Sequence, residues 1–415
     1  MNVPSNITKS YNNYFNHFDN CIYTINNNLS MKKIFLIIWA DPKFYQTLIF
    51  LSQKFANKKF EVFILCRNLG NFRDVVKKVN FGKNVKLIES PNFLNFRFNL
   101  LDYLIFNIFI LFHIIVKNPK NVIYFNKKAL FNILITKIFT KKTNFIYHNF
   151  DFDLTNSTKS LIEKIMIKLE FYSSKFCNYL IFPSKERLKM FKKFSMNNLS
   201  KYYYFMNCFP KKFKTNNSLE FKKFLINNNL QSKNIICHLG SIGPKHFLEE
   251  IVDSFKYVNN KLILVIAGSP INSFAEKLKR RVNVNNLRKK IYIFENINND
   301  YWFEILKRSD LGLCFYKQTT LSHRYMAGTS QKFNNYLFFN LPMIVNDNKD
   351  FQKFKKNHDI FEMVNPKNSK MIAQKITKLI SKKNRYKKIK QNMNISFNKS
   401  LNFEAQFNKS YNCII

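Results

Sequence analysis

Two short loops combine glycine with a basic residue at points where a predicted strand or loop leads into a helix. The first is Gly240-Ser241-Ile242-Gly243-Pro244-Lys245-His246, and the second is Gly328-Thr329-Ser330-Gln331-Lys332-Phe333. Backbone amides and the N-terminus of a helix bind phosphate groups, and an ammonium group adds charge. Both loops are therefore candidate phosphate sites. The alternatives are an ordinary turn with a solvated Lys245, and a helix cap at Ser330 followed by a surface Lys332.

Lys332 and the glycines favour the functional interpretation. A cation in the first turn of a helix opposes the helix dipole unless an anion is bound there, and Lys332 is predicted in such a turn. The chain has only 7 glycines, so each is expected to have a backbone reason. Gly268 also follows a predicted strand, as Gly240 does, and such strand ends are where backbone approaches a ligand.

His148 closes the predicted strand 145–147 and could orient a substrate hydroxyl or transfer a proton, although a lone histidine is more often structural. The Asp151-Phe152-Asp153 triplet that follows has the spacing of some divalent-metal sites, but such triplets are common by chance. We therefore predict no metal and no cofactor.

The basic charge has three interpretations. The 415 residues include 68 Lys+Arg and 25 Asp+Glu, which gives a formal net charge of +43. Lysine is spread along the whole chain, and Ala, Gly and Pro are scarce, which favours the composition of an AT-rich genome over a nucleic-acid-binding surface. Attraction to anionic lipids is the third interpretation. The apolar run 100–116 is predicted as a buried or membrane-grazing helix rather than a span.

Apolar strands alternate with amphipathic helices along most of the chain, which predicts an α/β protein with two doubly wound, Rossmann-like parallel sheets facing a cleft. The 7 cysteines have neither metal-clip nor redox spacing, which favours a reducing cytosol. The predicted division is a disordered lead at 1–30, a first domain at 31–209, a linker at 210–232, a second domain at 233–395 and a C-terminal helix or tail at 396–415 that packs back on the first domain.

The segment 330–345, SQKFNNYLFFNLPMIV, resembles the S-x-K-x-x-E-Y-x-x-x-G-x-P-V-I segment of retaining family-four glycosyltransferases. Weaker resemblances follow in family order at His148-Asn149, 182–184, 235–240, 264–268 and 308–313. Departures occur at Asn335 and Ala327, where the family has glutamates, at Asn340, where it has glycine, and at Ser241, where it has a phosphate-binding arginine.

This resemblance implies a GT-B fold with a nucleotide-sugar donor bound by the second domain and an acceptor bound by the first. The implied activity is a hexosyl transfer to a glycan or lipid-linked acceptor, retaining and metal-independent, in surface polysaccharide or lipopolysaccharide assembly on the cytoplasmic face of the membrane. The implied catalytic residues are His148, Lys245 and Lys332. The implied donor-binding residues are Gly240, Ser241, Gly243, His246, Gly268, Thr329, Ser330 and Asn335. The alternatives are an inactive GT-B-like binding subunit, favoured by Asn335 and Ala327, and a basic nucleic-acid-binding protein.

Overall fold

The computed structural model describes residues 31–67, 81–91, 99–140, 142–151, 160–196, 200–216 and 218–415. The predicted lead at 1–30 therefore lies outside the described residues.

Within the described residues, the first sheet has seven parallel strands in the order β3-β2-β1-β4-β5-β6-β7. They are continuous apolar runs because helices cover both faces of the sheet. The strands are β1 Lys33–Ile38, β2 Glu61–Cys66, β3 Val85–Glu89, β4 Asn121–Phe125, β5 Asn144–His148, β6 Tyr179–Phe182 and β7 Lys201–Tyr204. The helices are α1 Gln46–Asn57, α2 Asn99–Lys117, α3 Lys127–Leu130, α4 Ile133–Phe139, α5 Leu161–Ser174 and α6 Lys185–Ser195.

The second sheet has six parallel strands, again within the described residues, in the order β10-β9-β8-β11-β12-β13. The strands are β8 Asn234–Leu239, β9 Leu262–Gly268, β10 Ile291–Glu295, β11 Leu311–Cys314, β12 Met343–Asn346 and β13 Phe361–Val364. The helices are α7 Glu220–Asn227, α8 Leu248–Ser254, α9 Phe274–Val284, α10 Asn299–Arg308, α11 Leu321–Arg324, α12 Gln331–Phe338, α13 Lys349–Asn357, α14 Ser369–Ser381, α15 Lys383–Lys399 and α16 Phe403–Lys409.

The predicted fold class of two doubly wound parallel sheets is confirmed. Two details differ from the sequence prediction. The segment 129–139, whose apolar pattern predicts one helix, belongs instead to two helices, α3 and α4. The predicted linker at 210–232 contains α7, which is held in place because the amides of Phe221 and Lys222 donate to the Glu304 carboxylate at 2.8 and 3.0 Å.

The C-terminal segment returns to the first domain. Phe403 packs edge-on against Phe50 with the ring centroids 5.8 Å apart, and Phe407 contacts Phe55 at 5.6 Å. Tyr411 is fully buried. This packing joins the two domains through a shared hydrophobic core.

Candidate functional site

The candidate site lies at the carboxyl end of the second sheet, between β8 and β11. Strand β8 lies between β9, which follows it in sequence, and β11, which pairs with its other side later in the chain. Such a switch point is where open α/β sheets bind ligands. Gly240 follows β8, Tyr316 follows β11, and Ser330 caps α12 by accepting from the amide of Phe333 at 3.2 Å. The first turn of α12 therefore points at the gap between the two strands.

Gly240 and Gly268 let two strand ends pass in contact. Gly240 donates to the Ala267 carbonyl at 3.0 Å. Gly268 has φ +155°, and a Cβ there would lie 1.6 Å from the Gly240 carbonyl oxygen. A side chain at 268 is thus excluded by backbone. Both predicted glycines are brought together, whereas Gly243 packs against Ile271 further along the loop.

Lys332 reaches from α12 into this gap. Its Nζ lies 3.1 Å from His238 Nε2 and 4.9 Å from the centre of the Tyr316 ring. Its Cε would lie 3.0 Å from a Cβ on Gly240. The side chain is buried, and desolvation lowers its pKa to about 8. Among the described residues, no carboxylate forms an ion pair with Lys332, so this buried ammonium has no fixed counter-charge of its own.

His246 and Ser241 form a neutral wall beside the lysine. Ser241 Oγ lies 2.7 Å from His246 Nε2, and His246 Nδ1 lies 3.4 Å from the Phe315 carbonyl oxygen. Burial and then the neighbouring Lys332 charge lower the pKa of His246 to about 2, so the ring is neutral. A neutral ring that donates to Phe315 accepts from the Ser241 hydroxyl, which fixes the direction of that hydroxyl. The Lys245 side chain is exposed and lies outside this cluster.

Ser330 and Thr329 have different surroundings. Ser330 Oγ hydrogen-bonds to the Tyr316 hydroxyl within the cluster. Thr329 instead accepts from Arg187 of the first domain at 3.3 Å and donates to the Tyr325 carbonyl at 3.0 Å. The predicted donor-binding residue Thr329 thus contributes to a contact between the domains.

Arg187 is the centre of that contact. It lies on α6, is 1% exposed, and donates from Nη1 to the Phe150 carbonyl at 2.8 Å and from Nη2 to the Ser322 carbonyl at 2.7 Å. Asn207 adds a second link, since its Nδ2 donates to the Thr329 carbonyl at 3.0 Å. The loop that leads into α12 is therefore anchored to the first domain.

Asn335 and Ala327 occupy the two positions where the resemblance expects glutamate. Asn335 is 1% exposed, and in the amide orientation that satisfies both groups it donates to the Gln331 carbonyl and accepts from Trp302 Nε1 at 3.3 Å. The Ala327 amide donates to the Asp350 carboxylate at 2.8 Å, and burial raises the pKa of Asp350 to about 6. Both positions are used inside the second domain, so donor binding by Asn335 stays a prediction.

His148 lies apart from the Lys332 cluster, at the end of β5. It is fully buried among the rings of Phe125, Phe150 and Phe205, and its Nδ1 is 2.8 Å from the Tyr411 hydroxyl. Burial lowers its pKa to about 3. A direct contact between His148 and substrate stays a prediction, because the C-terminal segment covers the ring.

No cluster of metal-ligating side chains occurs among the described residues. Asp151 lies 3.8 Å from Arg187, while Asp153 of the proposed triplet lies outside the described residues.

Three residues of this site are missed by sequence reasoning. His238 stands in an apolar strand, a context that predicts a core residue, although it directly precedes Leu239-Gly240 at the strand end. Tyr316 resembles any aromatic residue after a strand. Arg187 has no sequence signal, since its helix carries several other basic residues.

Residues 220–394 match the family model described as Glycosyl transferases group 1. No curated protein matches the sequence. Among solved structures, HepE from Anabaena in complex with UDP and glucose is similar with a TM-score of 0.72 at 11% identity, over 92% of this chain and 99% of that chain. A sucrose-phosphate synthase from Thermosynechococcus elongatus has a TM-score of 0.72 at 12% identity, over 92% and 98%. A glycosyltransferase from Rickettsia africae has a TM-score of 0.67 at 15% identity, over 92% and 98%.

Proposed function

We propose that this chain, which has the GT-B fold, is a glycosyltransferase that transfers a hexosyl group from a nucleoside-diphosphate sugar to a glycan or lipid-linked acceptor. The match of residues 220–394 to the Glycosyl transferases group 1 model supports this proposal. We propose further that the reaction retains configuration, needs no metal, and serves surface polysaccharide or lipopolysaccharide assembly. Neighbouring structures were solved with UDP and UDP-glucose, so a uridine donor is the first one to test here.

The observation that carries this proposal is the buried Lys332 ammonium at the β8–β11 switch point. Its pKa of about 8 leaves it largely protonated at neutral pH. The desolvation that lowers this pKa is offset when a phosphate oxygen binds, because an anion in a low-dielectric site interacts strongly with a fixed cation. We therefore propose that the donor diphosphate binds next to Lys332, Gly240 and the N-terminus of α12.

These groups also supply the chemistry that the departing diphosphate needs. Negative charge develops on the phosphate oxygens as the bond to the anomeric carbon breaks. Preorganised cations and amides stabilise such charge without reorganising, and a dry site strengthens them. The amides of Gly240 and Ser330 already donate to the Ala267 and Met326 carbonyls, so this role falls to Lys332, with the exposed Lys245 as a second cation. Since they can replace a metal, we expect turnover to continue in the presence of EDTA.

The reaction would retain configuration if the acceptor attacked the same face of the anomeric carbon from which the phosphate departs. Among the described residues we identify no carboxylate placed to act as a nucleophile, so the acceptor hydroxyl would attack the anomeric carbon from the side of the leaving phosphate. That phosphate would take up the acceptor proton. His148 would orient the donor sugar or the acceptor. For that role, the C-terminal segment, which contacts the ring through Tyr411, must move away from it.

A non-catalytic sugar-nucleotide-binding subunit is the second candidate function. It is favoured by Asn335 and Ala327, because neither of the two glutamates that the family resemblance implies is present. Such a subunit would bind the donor at the same lysine and release no product.

Thermal unfolding with a panel of nucleoside diphosphates and their sugars tests the proposal. A ligand that binds the folded state stabilises it by mass action and so raises the midpoint of thermal unfolding. At a ligand concentration of 100 times Kd, the stabilisation is about 2.7 kcal/mol. We expect one base to give a clear shift, with diphosphates shifting more than monophosphates. Product formation with the shifted donor then separates an enzyme from a binding subunit. Absence of any shift across the panel would refute the donor assignment.

A further inference from the structure

The helix α2 presents a long apolar stripe to solvent. The stripe repeats every four residues, which places its side chains on one side of the helix. Its members are between 44% and 70% exposed: Leu100, Leu104, Ile108, Phe112 and Val116. Isolated exposed apolar side chains are ordinary, but a continuous stripe over more than four turns marks an interaction surface.

The opposite side of α2 belongs to the core of the first domain. Phe106, Ile110 and Ile114 are fully buried and pack with the apolar face of the sheet. By length and composition, 100–117 is the one helix of the described residues that could cross a membrane. Removing it from the sheet would expose these three side chains and the strands beneath them. The helix therefore lies flat against the sheet, with one side buried, and membrane grazing by its other side stays a prediction.

Neighbouring helices extend the stripe into a broad surface. Asn132, at the start of α4, donates to the Asn107 carbonyl of α2 at 2.8 Å. Beyond that contact α4 exposes Ile138 at 73% and Phe139 at 59%, and α5, which packs beside α3, exposes Ile162 at 71%. We call the exposed sides of α2, α4 and α5 the apolar face. A face that runs across several parallel helices fits a flat partner better than a single inserted helix.

The charges at the edge of the apolar face are mostly positive. Lys164 and Lys168 alternate with exposed apolar residues on α5. An open pocket at the far ends of α4 and α5 is lined by Lys137, Lys175 and Lys201.

The carboxylates of the same helices are few among the described residues. Asp102 lies 3.7 Å from Arg67, and Glu170 is buried and accepts from the Tyr147 hydroxyl. Glu163 is exposed at the first turn of α5. Apolar side chains bordered by lysines complement a layer of hydrocarbon below anionic headgroups.

We propose that the apolar face docks on an anionic lipid bilayer, with Leu104, Ile108 and Phe112 entering the interface and the surrounding lysines contacting headgroup phosphates. The helices α2 and α5 begin at the carboxyl ends of the strands of the first sheet, the edge that faces the second domain. Docking on this face therefore brings that edge to the membrane. If the proposed function holds, a lipid-linked acceptor reaches the site from the bilayer while its sugar end stays in water.

Flotation of the full chain with vesicles tests this surface. We expect the chain to float with vesicles that contain phosphatidylglycerol, and to float less with vesicles of phosphatidylcholine alone. Leu104→Ser, Ile108→Ser and Phe112→Ser together should lower binding by about tenfold or more, because each removes apolar area from the interface. Val284→Ser with Ile395→Ser is the matched control, since those side chains are 81% and 62% exposed on α9 and α15. The control should float as the unmodified chain does.

Two results would overturn the proposal. One is a triple variant that floats as well as the unmodified chain. The other is an unmodified chain that stays in the soluble fraction. This second result includes the case in which the unmodified chain forms dimers and the triple variant does not, because the apolar face would then be a contact between two copies. The nucleotide-dependent thermal shift, measured on the same variants, should be unchanged, because the apolar face is remote from Lys332. Flotation without any nucleotide shift would therefore remove the proposed function and retain the docking surface.

Discussion

Lys332 Nζ lies 3.1 Å from His238 Nε2, and both side chains are buried beneath the carboxyl end of β8. Burial and then the adjacent ammonium lower the pKa of His238 well below its ordinary value, so the imidazole is neutral and can accept from the lysine. The pair holds a cation at a fixed position without neutralising it. A site prepared in this way binds an anion at low reorganisation cost.

The pH dependence of nucleotide binding follows from this pair. In the free protein the pKa of Lys332 is about 8, below the ordinary 10.5, because of desolvation. A bound phosphate favours the charged form and raises that pKa. Affinity for UDP should therefore be level below about pH 8 and fall above it, by up to about tenfold per pH unit until the raised pKa of the complex is reached. Calorimetric titration from pH 6.5 to 9.5 measures this profile. Lys332→Met should bind weakly with no such fall, and a wild-type affinity that does not change above pH 8 would contradict the assignment.

Arg187 should couple the two domains. Replacing it by methionine leaves the part-buried Phe150 carbonyl and the buried Ser322 carbonyl without this donor. An unsatisfied buried carbonyl costs about 1–3 kcal/mol. We expect Arg187→Met to lower the midpoint of denaturant unfolding and to reduce turnover more than donor affinity, because the loop into α12 loses its anchor. Lys189→Met, an exposed position on the same helix, is the control. Identical unfolding curves for the two variants would show that the Arg187 hydrogen bonds do not stabilise the contact between the domains.

Gly268→Ala should damage the second domain severely. The new Cβ would meet the Gly240 carbonyl at 1.6 Å, and neither strand end can move without breaking the sheet. We expect a loss of about 3 kcal/mol or more in the free energy of unfolding, together with loss of the nucleotide shift. Ser269→Ala next to it is exposed and should have little effect. A folded Gly268→Ala variant with normal nucleotide binding would disprove the close approach.

Much of the fold could be predicted because its cause is local. Strands such as 34–38 and 262–268 are continuous apolar runs, and a glycine at a strand end in a glycine-poor chain marks a backbone constraint, as Gly240 and Gly268 show. The position of Lys332 in a first helical turn is also a local signal, because a cation there opposes the helix dipole unless an anion is bound.

The remainder depends on contacts between distant residues. His148 has the sequence context of an active-site histidine, but its ring is covered by Tyr411, 263 residues away along the chain. Thr329 stands in a promising loop, but its hydroxyl is taken by Arg187. His238 looks like core until α12 brings Lys332 beside it. None of these pairings has a local signature, so they emerge only when both domains are assembled.

The most direct test of the central claim is the affinity of the unmodified chain and of Lys332→Met for UDP and for uridine, with Lys367→Met as an exposed control. If the buried ammonium binds the donor diphosphate, the unmodified chain and the control should bind UDP far better than uridine, and Lys332→Met should lose about tenfold or more of the UDP affinity alone. Equal UDP affinity in Lys332→Met and the unmodified chain would contradict the account.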